Sequence, residues 1–363
     1  MNNKTETKTE TGKSRVTDLI DQVLEAKSRH EPLKIVGGGS KDFLGRKTNG
    51  KVLSVRDHSG VVDYSPTELV MTARAGTPLV ELISLLDQHQ QMLAFEPPVM
   101  NGQATLGGTL GANCSGPARP WRGSVRDAVL GVRLINGEGQ HLRFGGVVMK
   151  NVAGYDLSRA QAGAMGTLGV ITEVSMKVLP KPALEKTLVF QLSQSEAIEK
   201  LCKWQRQPKP LSGAVWVNGQ LYLRVAGAEQ AVEGTIQQWG GDVIASEASQ
   251  RFWSSIKEQS HEFFGGTQPL WRISLKSSAG VVDENMLLDW GGALRWTRQE
   301  ASLDQIAQQC RPFGGLVSLY RDGDREAEVH APMPEPLKRL HQQLKQSLDP
   351  YGIFNPGRLY SWL

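Results

Sequence analysis

Two glycine-rich stretches carry residue types able to hold a charged molecule through the backbone alone: Gly37-Gly38-Gly39-Ser40, and Asn101-Gly-Gln-Ala-Thr-Leu-Gly-Gly-Thr-Leu-Gly-Ala-Asn-Cys-Ser-Gly-Pro117. Glycine lacks a Cβ and reaches backbone angles that other residues avoid. Such runs therefore either bring main-chain N–H groups against a ligand or make tight turns, in a chain with 39 glycines among 363 residues. A hydrogen bond to a charged group contributes roughly 1.5 to 3 kcal/mol, so a few amides hold a pyrophosphate without a basic side chain. A large phosphate-bearing cofactor is expected. No complete Gly-x-Gly-x-x-Gly follows a predicted strand, which argues against a Rossmann nicotinamide site. Gly12-Lys13-Ser14 has Thr7 where a P-loop needs its earlier glycine.

Other reactive side chains are sparse. Cys114, Cys202 and Cys310 are odd in number and widely spaced, so they form neither a disulfide framework nor a Cys-x-x-Cys metal site, and a reducing compartment fits them. The net charge of +4 comes from bases scattered among acids, a poor signature for nucleic-acid binding. No apolar run approaches the ~20 residues of a membrane helix, and the N-terminus lacks the apolar core of a secretion signal. A cytoplasmic chain without a direct membrane span is expected. Met1 to Lys13 is a polar Lys/Thr/Glu tract predicted to be disordered.

The elements that must position the glycine stretches follow from periodicity. Val16, Leu19, Ile20, Val23 and Leu24 predict an amphipathic helix over Val16 to Ser28, and Lys34-Ile35-Val36 a strand running straight into the first loop. Lys51 to Val55, Val61 to Tyr64 and Leu69 to Ala75 are strand-like. Thr77-Pro78 starts a helix with Leu79, Leu82, Ile83, Leu85 and Leu86 on one face. Val129 to Ile135 and Gln140 to Phe144 flank the hairpin signal Asn136-Gly-Glu-Gly139; Asp156 caps a short helix, and Gly169 to Val178 alternates as a strand. Pro180 and Pro182 mark a boundary. Beyond them lie eight of the nine tryptophans, with strands predicted at Thr187 to Leu192, Ala214 to Val217, Leu221 to Val225, Trp271 to Lys276 and Leu316 to Tyr320. Helices are predicted near Ser195 to Trp204, Glu229 to Trp239, Ser302 to Gln309 and Pro336 to Gln346, so a second unit of antiparallel sheet covered by helices is expected.

Five motifs occur in a fixed order: Ile35-Val-Gly-Gly-Gly-Ser40, Ala104-Thr-Leu-Gly-Gly108, Lys150-Asn-Val-Ala-Gly-Tyr-Asp-Leu157, Gly166-Thr-Leu-Gly-Val-Ile-Thr172 and Phe354-Asn-Pro-Gly357. As an ordered set the chain resembles the flavoprotein family of vanillyl-alcohol oxidase and p-cresol methylhydroxylase (PCMH). Its Ala-Gly-Tyr-Asp-Leu and Gly-Ile-Phe-Asn-Pro-Gly-Arg wording is similar to the smaller FAD-binding subunits of bacterial glycolate oxidases. The resemblance implies an α+β fold, with a two-lobed PCMH-type FAD-binding domain over residues 15–182 and a smaller α+β cap domain over 183–340. Residues 341–363 are expected to return to the first domain, and 1–14 to form the tail. It further implies that Gly37, Gly38, Gly39 and Ser40 form a first pyrophosphate loop. Pro98, Thr105, Gly108, Gly111, Asn113, Ser115 and Gly116 fall in a second cofactor stretch, and Ile171 meets the adenine-ribose end.

Some relatives attach flavin through a histidine that follows the loop glycines. Here that position is Ser40, so non-covalent FAD is expected, with Cys114 a small buried thiol rather than a tether. The cap histidine pair of larger 2-hydroxy-acid dehydrogenases is missing; Tyr320-Arg-Asp-Gly-Asp324 and an isolated His330 stand in its place. Arg224, Arg272, Arg295 and Arg321 are the available carboxylate binders but are expected to be solvated or ion-paired, and His261 and His330 to be structural. No catalytic residue and no metal site are assigned. The resemblance implies glycolate or a related small 2-hydroxy acid as substrate, with a larger FAD-binding subunit and an iron–sulfur subunit as partners. Any membrane association arises through those partners. The alternative is a flavin-bearing structural or electron-transfer partner that oxidises no substrate itself.

Overall fold

The computed structural model describes residues 5–147 and 156–363. The first unit is built on a five-stranded antiparallel sheet in the order Val61–Ser65, Val70–Arg74, Val170–Lys177, Val129–Ile135, His141–Gly145. Val174 and Met176 alternate into its core, where the helix Leu79–Gln88 lays down Leu79, Leu82 and Leu86 at helical spacing. Each such fully buried side chain contributes roughly 1.5 to 3 kcal/mol. Beside this sheet stands a parallel pair, Leu33–Val36 with Lys51–Ser54, wedged against Leu19, Val23 and Ala26 of the helix Thr5–Arg29. Phe354 of the C-terminal tail bridges to Leu33, so the end of the chain packs beside the strand that delivers the first glycine loop. The buried Lys345 ammonium fastens this tail, donating to Asp349 Oδ2 at 2.6 Å, Thr167 O at 2.8 Å and Phe354 O at 2.9 Å.

The N-terminal helix differs from expectation. It begins at Thr5, so the tract read as disordered is helical over residues 5–13. Once Leu19, Val23 and Ala26 are packed, each added residue gains a backbone hydrogen bond without a new nucleation cost, and Lys, Glu and Thr tolerate that extension. The motif residues 150–155 lie outside the described residues.

The second unit is an eight-stranded antiparallel sheet, ordered Asp242–Val243, Leu184–Gln191, Gln220–Gly227, Leu211–Val217, Leu287–Asp289, Leu294–Arg298, Leu270–Ser274, Leu316–Arg321. One face is sealed by the helices Gln194–Trp204, Glu229–Trp239 and Leu303–Cys310. The other carries Val215, Val217, Trp296 and Tyr320. With Trp253 and Ile256 of the helix Ser246–Glu258, these pack against Leu44 and Cys114 of the first unit. That face is a roof over the glycine stretches. Carboxylates pin it down: Glu258 accepts from Val99 N and Met100 N at 3.0 and 2.9 Å, and Glu96 accepts from Arg224 Nη2 at 2.7 Å and Ala118 N at 3.1 Å.

His58, only 3% exposed, sits beneath the first sheet. Burial, assisted by the positive charge of Arg74 and by His141, pushes its imidazole from the ordinary 6.5 down to about 4. The native chain thus stays neutral there while the unfolded chain takes up a proton. Stability is complete above pH 6.5 and falls between pH 6.5 and 4, by about 3 kcal/mol for this group. Because His330 is depressed to a similar value and His141 and His261 are lowered as well, His58→Gln is expected to remove part of the histidine-dependent fall in melting temperature between pH 7 and 4.5, and less than half of it. A melting series across that range checks it.

Candidate FAD and substrate cleft

The two glycine stretches meet in space. A Cβ on Gly38 would stand 1.6 Å from the Gln103 carbonyl oxygen, and one on Gly37 2.5 Å from Thr105 Oγ1, so only glycine lets these loops touch. Gly39, at φ +70°, faces the other way: a Cβ there would meet nothing within 4 Å. Asn355 fixes the strand behind the loop, accepting from Ile35 N at 2.9 Å and donating to Met165 O at 2.6 Å. Thr105 caps the short helix Leu106–Gly111 by accepting from Gly108 N.

A cleft opens between these elements. Of the residues expected from sequence, it brings together Gly37, Gly38, Gly39, Ser40, Thr105, Gly108, Gly111 and Ile171, and adds Lys41, Gly166, Asn355 and Arg358. The remaining four, Pro98, Asn113, Ser115 and Gly116, line a second chamber of about 230 Å³ under the cap. The chambers share Leu44, Ala112 and Met165, so they form one path from the first loop to the roof. Lys41 Nζ is buried without a hydrogen-bond partner, an ammonium that calls for an anion. With Gly39, Gly108 and Gly111 presenting bare backbone to the path, the residues present fit a long dinucleotide carrying a pyrophosphate.

The roof supplies side chains that sequence reasoning set aside. Arg272 lies opposite Trp296 on one neighbouring strand and Ser318 on the other, and Ser318 bridges to His330, so these four residues form one row across the sheet. All four line the second chamber with Tyr320 and Asp289. The Arg272 guanidinium stacks over the Trp290 ring at 5.1 Å, while Arg119 covers that ring at 4.4 Å. Trp290 Nε1 donates to Gly116 O at 3.0 Å, latching the roof to the second glycine stretch. Burial disfavours the charge on Arg272, and no ion pair with a carboxylate neutralises it among the described residues.

The expectation that all four arginines are solvated or ion-paired is therefore corrected at two positions. Arg224 pairs with Glu96, and Arg321 donates to Gln259 Oε1 at 2.9 Å. Arg295, fully buried, instead caps the carbonyls of Gly280, Ala279 and Gly292. Arg272 is left facing the cleft. The signal was available in the alternation of Leu270–Ser274, which puts Arg272 on the face opposite Trp271 and Ile273.

Burial sets the remaining groups. It pushes the Asp289 carboxyl up to about 7, against the lowering effect of a bond from Trp290 N at 2.6 Å. It lowers His330 to about 4, with Arg325 and Arg272 acting in the same sense, so that ring is neutral at pH 7 and its buried Nε2 has no hydrogen-bond partner. Burial also raises the Cys114 thiol, which keeps it protonated and unreactive beside the path. Tyr320 is pushed up likewise.

This fold and path define an FAD-binding flavoprotein of the PCMH type. Residues 14–145 match the family described as FAD binding domain. A solved alkyldihydroxyacetonephosphate synthase superposes with a TM-score of 0.66 over 94% of this chain and 75% of that one, at 13% identity, which speaks to fold alone. The chain is 49% identical to glycolate oxidase subunit GlcE of Escherichia coli (strain K12) over 95% of its own length and 97% of that protein. It belongs to that family of oxidase subunits. It is also 30% identical to glycolate oxidase subunit GlcD of Bacillus subtilis (strain 168), covering 48% of this chain and 38% of that protein.

Proposed function

We propose that the chain is the smaller FAD-binding subunit of a glycolate oxidase and that its own cleft receives the 2-hydroxy acid. The observation that carries this is Arg272, a half-buried guanidinium with no carboxylate partner among the described residues, on the roof of the flavin path. Residues 37–41 and 105–111 would hold the pyrophosphate by backbone donors and Lys41, Ile171 the adenine-ribose end, and Pro98 with 113–116 the flavin side. The unit divides as an FAD domain over 15–182, a cap over 183–340 and a returning tail over 341–363. FAD, when bound, supplies the two-electron acceptor. Arg272 binds and orients the substrate carboxylate, and neutral His330 accepts the hydroxyl proton at Nε2. Trp290 and Trp296 keep water from the reacting face.

Larger FAD-binding and iron–sulfur subunits complete the assembly. Cys114, Cys202 and Cys310 are separate free thiols, so an iron–sulfur relay would come from another chain. No helix of the described residues is long and apolar enough to cross a membrane, and attachment to the inner membrane would run through those partners. One observation favours the second reading, a flavin carrier without substrate chemistry of its own: His330, held at about 4, is a feeble base. The two are separated by adding glycolate without oxygen to the isolated, FAD-loaded chain. Bleaching of the flavin band is expected; a band unchanged by glycolate until the larger subunit is added would establish the carrier reading instead.

A further inference from the structure

Another concavity, of about 750 Å³, lies outside the cleft between the cap and the C-terminal tail. That is room for a few side chains of a docked segment, within the roughly 300 to 1,000 Å³ typical of binding pockets. Its wall is aromatic: Tyr360 and Trp362 stack with centroids 5.0 Å apart, and the largely buried Trp271 also contributes to the lining. Its rim carries five carboxylates; Glu328 pairs with Arg46 and Glu335 with Arg339, while Glu300, Asp304 and Asp324 form no ion pair among the described residues, and Lys338 is the one ammonium in the lining. In a chain whose net charge is +4, that concentration of negative charge is local. Glu300 and Asp304 are exposed, and neither forms a salt bridge among the described residues. Lys338 Nζ lies 5.2 Å over the Trp362 ring, so this wall already accommodates one cation on an aromatic face.

We infer that this groove is the docking surface for a basic segment of another oxidase subunit, with Lys or Arg side chains set between the aromatic wall and the acidic rim. Charge complementarity selects the occupant. Position gives it a purpose: Leu319 and His330 line both the groove and the chamber under the cap, so a partner seated here lies one layer of side chains from the redox site. The inference rests on the assignment of the chain as a subunit of a larger oxidase.

The test uses the full chain, FAD-loaded, with the purified larger FAD-binding oxidase subunit as probe. Glu300→Lys with Asp304→Lys reverses two exposed charges that line neither chamber of the flavin path. The dissociation constant is expected to rise by about tenfold or more at low ionic strength, with FAD content unchanged. Glu300→Gln with Asp304→Asn should give a smaller rise, and added salt should shrink both differences. Equal binding by wild type and both variants overturns the inference. So does a wild-type homodimer that the variants split, or spermidine competing for the groove without any subunit bound, or no association of wild type with the larger subunit. Glycolate bleaching, measured on the same samples, reports the catalytic assignment separately, since Glu300 and Asp304 take no part in it.

Discussion

Gly108→Val gives a folded chain that binds FAD about 100-fold more weakly or worse. A Cβ at this position meets only Thr105 Oγ1, at 3.1 Å, and otherwise projects into the path between Gly37–Lys41 and Met165. The branched methyls would occupy the volume that the cofactor needs, and forcing both into one site costs about 3 kcal/mol, which converts to that loss of affinity. The fold survives because Gly108 has no positive φ, and valine costs a helix no more than glycine does. Gly234→Val is the matched control, a helical glycine in the cap whose Cβ would meet nothing within 4 Å, and it should keep full FAD affinity. Flavin fluorescence titration of the two apoproteins measures the difference.

The second large effect falls on the substrate. Arg272→Met should retain FAD and the native fold yet bind glycolate about 100-fold more weakly, since a charge-assisted pair to a carboxylate is lost. Met fills the place of the aliphatic stem. Because it also removes a half-buried cation that has no carboxylate partner among the described residues, the melting temperature should hold or rise. Arg272→Lys keeps the charge without the planar fork and should recover part of the affinity. Oxalate-induced shifts in the flavin absorption band read binding independently of turnover. A variant with native oxalate affinity would move the carboxylate site elsewhere.

Much of this architecture was legible in the amino-acid sequence, for stated physical reasons. Leu79, Leu82 and Leu86 announce a helix by spacing, and Asn136-Gly-Glu-Gly139 announces the hairpin that joins Val129–Ile135 to His141–Gly145. Glycine runs were legible as close backbone approaches, and Gly37 and Gly38 prove to be glycines because Gln103 and Thr105 crowd them. The middle of the cap was not legible. Leu287–Asp289 is three residues long, too short for a period to register, and Trp290-Gly291-Gly292 reads as a loop although it latches the roof to Gly116. The helix Ser246–Glu258 buries only Ser249, Trp253 and Ile256, so its polar sequence hides its spacing. Arg272 was visible but unranked, since isolated sequence cannot tell an arginine aimed at a cleft from one in water. Its row with Ser318 and His330 exists only through strand register.

The central claim is that the glycine path holds one FAD without a covalent bond, and acid precipitation of the chain as purified addresses it most directly. Chromatography of the supernatant should find intact FAD at about one per chain, released because Ser40 stands where some relatives carry the linking histidine and burial keeps the Cys114 thiol protonated. Yellow colour retained in the pellet, FMN in place of FAD, or no flavin at all would contradict the account.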